Sequence, residues 1–412
     1  MKTLRFSILV EAIDSYIYSG HLFLILKDGR IAFTPLSWVI GKLVRVYPEY
    51  GNLIRLAFQR NDYLSNNQGK MILGIEEVKA VFVEVWEEAA ENIDFVIDFD
   101  DEDYKIIETV PTMPVLDLKM YAMRLYIGCK EGLYEIDLNS DDRYNLRPSK
   151  PRRRFDAKVT CINAKSGEII ISSNSSGLFH GSFLNADNIL RVDEKSVAPK
   201  SIRTGWSGYD IINYAEQSNF DYFVSKTEKA DKKPAFSRFD ENVERQRISE
   251  FAIAKHPMTD LLDRSKIKQN DIAYCFNSSE RGFFFLKDGR FVNINLDKNK
   301  DGVAFTSRTH ELPMLEQGYG ALRPISTSIV PKGCVVEYMD KVVLYHNGIA
   351  QIIEKTPSIT VRSYMGSIRY RNLISCAKEK EVSLHSIFPF DELFLRAPGR
   401  SSITLNDFED IP

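Results

Sequence analysis

The sequence predicts a mainly β protein, a divergent β-propeller of about seven blades with a helical insertion near residues 36–65. Three observations predict it: apolar runs separated by turn residues recur at blade-like intervals, the two ends of the chain offer strands for one shared sheet, and helical periodicity is strongest in one early segment. The 412 residues are 44% hydrophobic and 27% charged. That composition supports a large core and excludes a disordered or fibrous chain.

A repeated five-residue word gives the clearest local signal. The letters LKDGR occupy residues 26–30 and again residues 286–290, each time between two apolar runs. Asp-Gly between apolar runs is typical of a tight hairpin, because a type I′ turn requires positive φ at both central residues. We expect tight hairpins of this type at both places.

Looser hairpins extend the pattern along the chain. Their turns lie at Gly132, Gly177, near Lys232, at Gly289 and at Gly348, at intervals of about 45 to 60 residues. A propeller blade of four antiparallel strands takes about 40 to 50 residues. The spacing therefore predicts successive blades, with two separate β domains as the alternative.

Both termini carry strands that could share a sheet. Residues 370–377 and 381–387 form a hairpin pattern about a turn at 378–380, and the opening strand Leu4 to Val10 could complete that sheet. Such closure leaves no free sheet edge between the ends of the chain.

Residues of about 110–400, together with the first 35, resemble WD-repeat and kelch-like propellers in architecture. Trp38, Trp86 and Trp206 are not followed by Asp, and the other blade signatures of those repeats are missing. The resemblance implies the fold, and it identifies no specific family or function.

Helical periodicity interrupts the strand pattern between residues 36 and 65. Apolar residues from Leu36 to Val44 fall on one helical face, and a second such set, Leu53 to Phe58, follows the break at 48–51. Residues 75–86 return to strand-like alternation, and residues 249–268 suggest short helices. We expect four segments: blade and closing strands in 1–35, the insertion with an acidic strand segment in 36–120, the other blades in 121–400, and a tail in 401–412.

Charge is distributed unevenly along the chain. The net formal charge is −3, made up of −8 in residues 1–140 and +5 in the remainder. The negative charge is concentrated in one segment, predicted as a strand with an acidic face: Glu84, Glu87, Glu88, Glu91, Asp94, Asp98, Asp100, Asp101, Glu102 and Asp103. Such a segment could dock a basic partner, hold a divalent cation or protect a sheet edge.

A basic segment follows at residues 143–158. It contains Arg143, Arg147, Lys150, Arg152, Arg153, Arg154 and Lys158, with prolines that favour an extended backbone and with Tyr144 and Phe155 nearby. It could bind the phosphates and bases of a nucleic acid, bind an acidic protein partner, or pair with the acidic segment of its own chain. It could also be a solvated loop between blades.

No motif for catalysis, a cofactor or a metal is recognisable. The five cysteines form no Cys-x-x-Cys pair and the six histidines have no zinc-ligand spacing, so we predict no cofactor and no metal. An enzyme site inside the propeller channel stays an alternative, with Asp210, Asp271 and Glu337 as test positions. The run Phe6 to Val10 is too short for a signal-peptide core and no window of about 18 residues lacks charge. We therefore expect a cytoplasmic protein without a membrane partner.

These observations favour a non-catalytic interaction subunit of a multi-protein complex. We expect it to bind one or more proteins through the acidic segment, the basic segment and exposed residues of the helical hairpin such as Trp38 and Tyr47. For Trp38 a place in the core is the alternative, because its neighbours Leu36, Val39 and Ile40 could bury it against a blade. A propeller that binds nucleic acid through residues 143–158 is the main alternative.

Overall fold

A computed structural model describes the protein. The residues described are 2–99, 103–107, 114–140, 146–183, 189–207, 209–229, 246–251, 256–257, 262, 267–278, 281–298, 304–312, 324–331, 333–346 and 349–388. The chain divides into two compact units: unit 1 comprises residues 1–108 and 324–412, and unit 2 comprises residues 109–323.

Unit 1 begins with strands and then turns helical. Its first six strands are β1 (Leu4–Leu9), β2 (Ala12–Tyr18), β3 (His21–Leu26), β4 (Ile31–Pro35), β5 (Val96–Asp98) and β6 (Lys105–Ile107). Between β4 and β5 lie α1 (Leu36–Val46), a 3₁₀ turn (Pro48–Tyr50), α2 (Gly51–Phe58), α3 (Asp62–Ser65), α4 (Asn67–Ile72) and α5 (Glu76–Asn92).

Unit 2 contains a 3₁₀ turn at Gln269–Asp271 and is built mainly from strands. They are β7 (Val115–Tyr121), β8 (Arg124–Cys129), β9 (Leu133–Ser140), β10 (Leu146–Pro148), β11 (Arg152–Phe155), β12 (Cys161–Lys165), β13 (Glu168–Ser172), β14 (Leu178–Ser182), β15 (Arg191–Val192), β16 (Arg203–Ser207), β17 (Asp210–Glu216), β18 (Asn219–Phe223), β19 (Ser225–Lys229), β20 (Gln246–Phe251), β21 (His256–Pro257), β22 (Ile272–Ser278), β23 (Arg281–Leu286), β24 (Phe291–Lys298) and β25 (Ala304–Leu312).

The chain then returns to unit 1. The last strands are β26 (Ser326–Val330), β27 (Gly333–Glu337), β28 (Val342–His346), β29 (Ile349–Glu354), β30 (Thr360–Ser363), β31 (Leu373–Ala377) and β32 (Glu381–Ser386).

The sheets of unit 1 are three blades. The first blade has the order β2-β3-β4-β6, the penultimate blade β26-β27-β28-β29, and the last blade β30-β31-β32-β1-β5. In the last blade β1 pairs antiparallel with β32, from Leu4 opposite Ser386 to Leu9 opposite Glu381. The predicted closure by the opening strand is therefore confirmed.

Unit 2 contributes four blades among its described residues. Their orders are β7-β8-β9-β10 with β11 also paired to β9, β12-β13-β14-β15, β16-β17-β18-β21 and β22-β23-β24-β25. The strands β19 and β20 form a separate two-stranded sheet. With seven blades in the described part of the chain, the predicted fold class, a mainly β propeller of about seven blades, is confirmed.

Both LKDGR words form hairpins, but their turn differs from the predicted type. Gly29 donates to the Leu26 carbonyl and takes a φ of 87°, and Gly289 does the same with a φ of 90°. In each described loop only the glycine has positive φ, so the turn is a type I turn followed by a glycine bulge. The Asp28 carboxylate accepts the Arg30 N–H at 2.9 Å, which stabilises this three-residue loop.

The helical insertion is confirmed at α1 and α2 and is longer than predicted. Its first two helices bury the predicted faces, namely Leu36, Val39, Ile40 and Leu43, then Leu53, Ile54, Ala57 and Phe58. The prediction of a strand at 75–86 is wrong, because Glu76–Asn92 is the helix α5. Val78, Phe82, Trp86 and Ala89 recur at helical spacing, a signal that the local alternation of valines concealed.

The prediction of short helices within 249–268 is wrong for residues 249–251 and 256–257, whereas Leu262 is helical. Residues 249–251 belong to β20, which pairs with β19, and His256–Pro257 is the short strand β21. Cross-strand pairing overrode the local periodicity of this segment.

Candidate interaction surfaces

The helical insertion is anchored to the last blade by side chains from several helices. The rings of Phe6 in β1 and Phe58 in α2 pack edge to face at 4.9 Å. The Ser386 hydroxyl donates to the Ala57 carbonyl at 3.0 Å, and the Trp86 indole donates to the Lys2 carbonyl at 3.0 Å. The insertion then adds β5 parallel to β1 and returns to the first blade as β6. Its helices are therefore held as part of the folded unit.

Helix α5 presents one exposed face that is mostly acidic. Trp86 and Ala89 are fully buried on the opposite face, and Trp86 packs against Phe388 at 5.2 Å. Nine residues of α5 are exposed, including Glu76, Ala80 and Asn92; the other six are named here the acidic helix face, namely Glu77, Val81, Glu84, Glu87, Glu88 and Glu91. Val81 is 59% exposed and lies among the carboxylates. The face thus combines negative charge with a small apolar contact.

The charges of this face oppose one another within the helix. Glu84 and Glu88 are four residues apart, as are Glu87 and Glu91, and each such like-charge pair costs about 0.2–0.5 kcal/mol. The last turn of α5 contains no basic residue, so its glutamates lie near the negative end of the helix dipole. Two contacts offset part of this electrostatic cost: Tyr50 donates to Glu88 at 2.9 Å and Lys2 lies 3.0 Å from Glu91. The first contact is partly buried and the second is exposed.

The rest of the predicted acidic segment is divided between other elements. Glu84 to Glu91 lie on a helix, so the predicted acidic strand is wrong there, whereas exposed Asp98 ends the strand β5. The carboxylate of Asp103 lies 2.8 Å from the Lys42 ammonium and forms an ion pair with helix α1 of the insertion. Asp100, Asp101 and Glu102 lie outside the described residues.

Trp38 and Tyr47 are half-buried, so the expectation that they are exposed is wrong. The Trp38 ring packs edge to face with Phe99 at 6.1 Å, and the Lys42 ammonium lies 4.0 Å from its centroid. The Tyr47 ring packs with Phe95 at 6.0 Å. Both aromatic rings therefore support the insertion against the segment around β5.

The predicted basic loop is two short edge strands, β10 and β11, that pair in succession with β9. Arg154 contacts buried Glu135 at 3.0 Å, Arg152 lies 3.9 Å from Asp137, and Arg153 contacts Asp156 at 2.9 Å. These acidic partners come from the same blade or the same loop, and none of them belongs to the acidic segment predicted as an intramolecular partner. Arg147, Lys150 and Lys158 are exposed, and Arg143 lies outside the described residues.

This pairing changes what the basic segment offers to a polyanion. Three guanidinium groups already face carboxylates, so the strand carries less free positive charge than its sequence indicates. Basic residues are common on edge strands, where they discourage pairing with other chains. Binding of nucleic acid by residues 143–158 stays a prediction.

Two buried polar networks were missed by sequence analysis. Glu354 accepts hydrogen bonds from Lys378 at 2.8 Å, Ser383 at 2.6 Å and His385 at 2.9 Å. In unit 2, His180 lies 2.8 Å from both Glu168 and Asp193. Burial alone lowers the pKa of His180, but hydrogen bonds to Asp193 and Glu168 raise it to about 9. In each network the sequence shows only a histidine within a strand, His385 or His180, and this signal does not identify the carboxylates that the histidine contacts.

Of the three test positions for an enzyme site, Asp210 and Glu337 are buried and hydrogen-bonded within the fold, and Asp271 is exposed. Asp210 is buried and accepts hydrogen bonds from Tyr222 at 2.7 Å and from the Ser225 amide at 2.9 Å. The carboxylate of buried Glu337 accepts a hydrogen bond from the Ser326 hydroxyl at 2.5 Å, and burial raises the pKa of Glu337. Asp271 is exposed on the turn before β22.

The described residues hold no group of three His, Cys, Asp or Glu arranged for a metal ion. No described helix is long and apolar enough to cross a membrane.

Comparisons with known proteins add a fold likeness only. No protein-family model matches the chain, and no curated protein matches it. Among solved structures, the Swd1 β-propeller domain of Myceliophteria thermophila is 7% identical with a TM-score of 0.47, over 92% of this chain and 97% of that chain. BBS1N in complex with ARL6DN is 8% identical with a TM-score of 0.45, over 94% and 98%. A chain of the Mitotic Checkpoint Complex is 11% identical with a TM-score of 0.40, over 70% and 83%. The fold assignment rests on the strand pairing of this chain itself.

Proposed function

We propose that this protein is a non-catalytic scaffold subunit of a multi-protein complex, and that the acidic helix face binds a basic segment of a protein partner. The observation that supports the proposal is the grouping of exposed glutamates on one side of an anchored helix. That grouping is unfavourable in the isolated chain, and a cationic partner would relieve it.

The anchoring of the helix bears on the affinity. Trp86 and Ala89 fix α5 against the fold, so little conformational entropy is lost when a partner binds. Carboxylates spaced along four turns would guide a basic segment to the face and set its register, while Val81 supplies apolar contact. Because the charges are exposed, the interaction should weaken as salt is added.

A direct test uses a fluorescein-labelled nona-lysine peptide and fluorescence anisotropy on the full chain. The acidic-face variant is Glu84→Gln with Glu87→Gln and Glu91→Gln. The matched control removes three exposed acidic charges elsewhere, by Glu194→Gln, Asp340→Asn and Glu379→Gln. We expect binding to the wild type and the control that falls with salt, and at least tenfold weaker binding to the acidic-face variant.

Equal binding to the two variants would show that net charge alone attracts the peptide and would refute the proposed face. The same variants should then be purified from the native host after nuclease treatment. A stoichiometric protein partner that the control retains and the acidic-face variant loses is the expected result. Companions retained equally by both variants contradict the proposal.

A further inference from the structure

Most outer blade edges in the described part of the chain carry features that discourage strand addition. In the last blade β5 covers β1. The other edges are short or contain basic residues or proline, namely β6 with Lys105, β10 with Arg147 and Pro148, β11 with Arg152 and Arg153, β15 with Arg191, β21 with Pro257, and the nine-residue β25 with Arg308. Short length, positive charge and proline each oppose pairing with another chain.

The outer strand of the penultimate blade has none of these features. Strand β29, Ile349–Glu354, has six residues with the sequence IAQIIE and contains no lysine, arginine or proline. In the described ranges no strand pairs with it on the side away from β28. Ile349 is 45% exposed, and the four residues after it are half-buried.

The register shows which backbone groups this edge presents. His346 of β28 pairs with Ile349 of β29 across a two-residue connection, so this pair closes the hairpin with hydrogen bonds. Hydrogen-bonded and non-hydrogen-bonded pairs alternate along an antiparallel ladder. The N–H and C=O groups of Ala350 and Ile352 therefore point away from β28.

We propose that β29 is a binding site for an extended, apolar segment of a partner protein, which adds to the penultimate blade as a fifth strand. Backbone groups of Ala350 and Ile352 would supply the ladder, and exposed Ile349 would contact apolar side chains of the added strand. Unit 1 already contains the same arrangement internally, since β5 extends the last blade beside β1 with Ile97 buried.

Charge and length specify the occupant further. Glu354, the one acidic residue of β29, is buried and bound by Arg5 and Lys378, so the centre of the edge favours an uncharged strand. Lys355 is exposed directly after β29 and favours an acidic residue at that end of the segment. A six-residue edge suits a short peptide segment, whereas a stable dimer of two copies requires about 1,200 Å² or more of buried surface.

The test uses the full chain and a labelled peptide, fluorescein-Asp-Val-Thr-Val-Thr-Val, in a fluorescence anisotropy titration up to about 1 mM, where even a complex of about −4 kcal/mol is half-formed. The protein variant is Ala350→Pro, which removes one outward N–H and is tolerated on an edge strand. We expect saturable binding to the wild type and binding about tenfold weaker to the variant, as loss of one backbone hydrogen bond predicts.

Two N-methylated peptides serve as controls on the wild-type protein, so the test does not depend on the folding of the variant. One is methylated at the amides of alternate residues and the other at the intervening amides. Strand addition requires that one of them loses binding while the other keeps it. No saturable binding of the parent peptide, or equal binding of both methylated peptides, would overturn the proposal. The acidic helix face plays no part in this test, so its failure and that of the proposed function are distinguishable.

Discussion

Replacement of Glu354 by glutamine is the most informative single change in unit 1. The carboxylate is 5% exposed and joins the end of β29 to the last blade through Lys378, Ser383, His385 and Arg5. Glutamine keeps the size of the side chain and removes its charge. The variant therefore isolates the electrostatic part of the network.

The expected loss follows from the surroundings of the partners. Removing one member of a buried ion pair typically costs about 3–5 kcal/mol, because the other charge stays buried. Lys378 is 8% exposed but also contacts Glu381, and Arg5 is 36% exposed and reaches water. We therefore expect the lower end of that range, a loss of about 3 kcal/mol in the free energy of unfolding.

The measurement is urea unfolding of the wild type, Glu354→Gln and the exposed control Glu379→Gln at pH 7. Burial alone raises the pKa of Glu354, but hydrogen bonds from His385, Lys378 and Ser383 hold it well below its usual value. Its contribution is therefore complete above the usual carboxyl range and is lost as the pH falls. The gap between wild type and variant should narrow below about pH 5. A loss under about 1 kcal/mol at pH 7, or a gap that widens in acid, would refute this reasoning.

Three further predictions concern unit 2. Because the pKa of His180 is raised to about 9, its stabilisation is complete below about pH 6.5 and is lost as the pH rises through 9; Tm measured from pH 7 to pH 10 should fall more for the wild type than for His180→Gln. Met123 lies in a tight turn with a φ of 57°, so Met123→Gly should raise the free energy of unfolding by about 1 kcal/mol in urea titrations, and an unchanged or lower value would contradict the strain. Arg154→Met leaves Glu135 buried without its partner and should cost about 3 kcal/mol, whereas exposed Lys158→Met should be nearly neutral; equal losses on thermal unfolding would argue against the ion pair.

The fold could be predicted because each blade repeats local signals. Glycine turns between apolar runs marked the hairpins, and the strand at Leu4 to Leu9 had a visible partner near the end of the chain. Helices α1 and α2 were predicted because their buried residues follow the helical period and no strand-like alternation overlaps it. At α5 the valines at 81, 83 and 85 alternate with period two, and this alternation conceals the longer helical pattern through Phe82 and Trp86.

The surfaces were harder to predict because a sequence does not show which charged side chains form ion pairs with one another. The run at 152–154 suggested a free basic patch, and the fold places Glu135 and Asp137 beside it from a neighbouring strand. Trp38 and Tyr47 were expected at the surface, yet each packs against a phenylalanine more than 45 residues later in the chain. Contacts of that separation depend on topology, which one sequence does not determine. The edge of β29 was equally invisible, since its character comes from its outermost place in the sheet.

The shared last blade has a consequence for how the protein is made. Leu4 leaves the ribosome 382 residues before its partner Ser386. At about 5–20 residues per second, the strand LRFSIL waits roughly 20 to 80 seconds for β32. During synthesis the strand β1 therefore reaches its complete pairing late, and a chain that stops before residue 381 lacks the antiparallel partner β32 of this apolar strand.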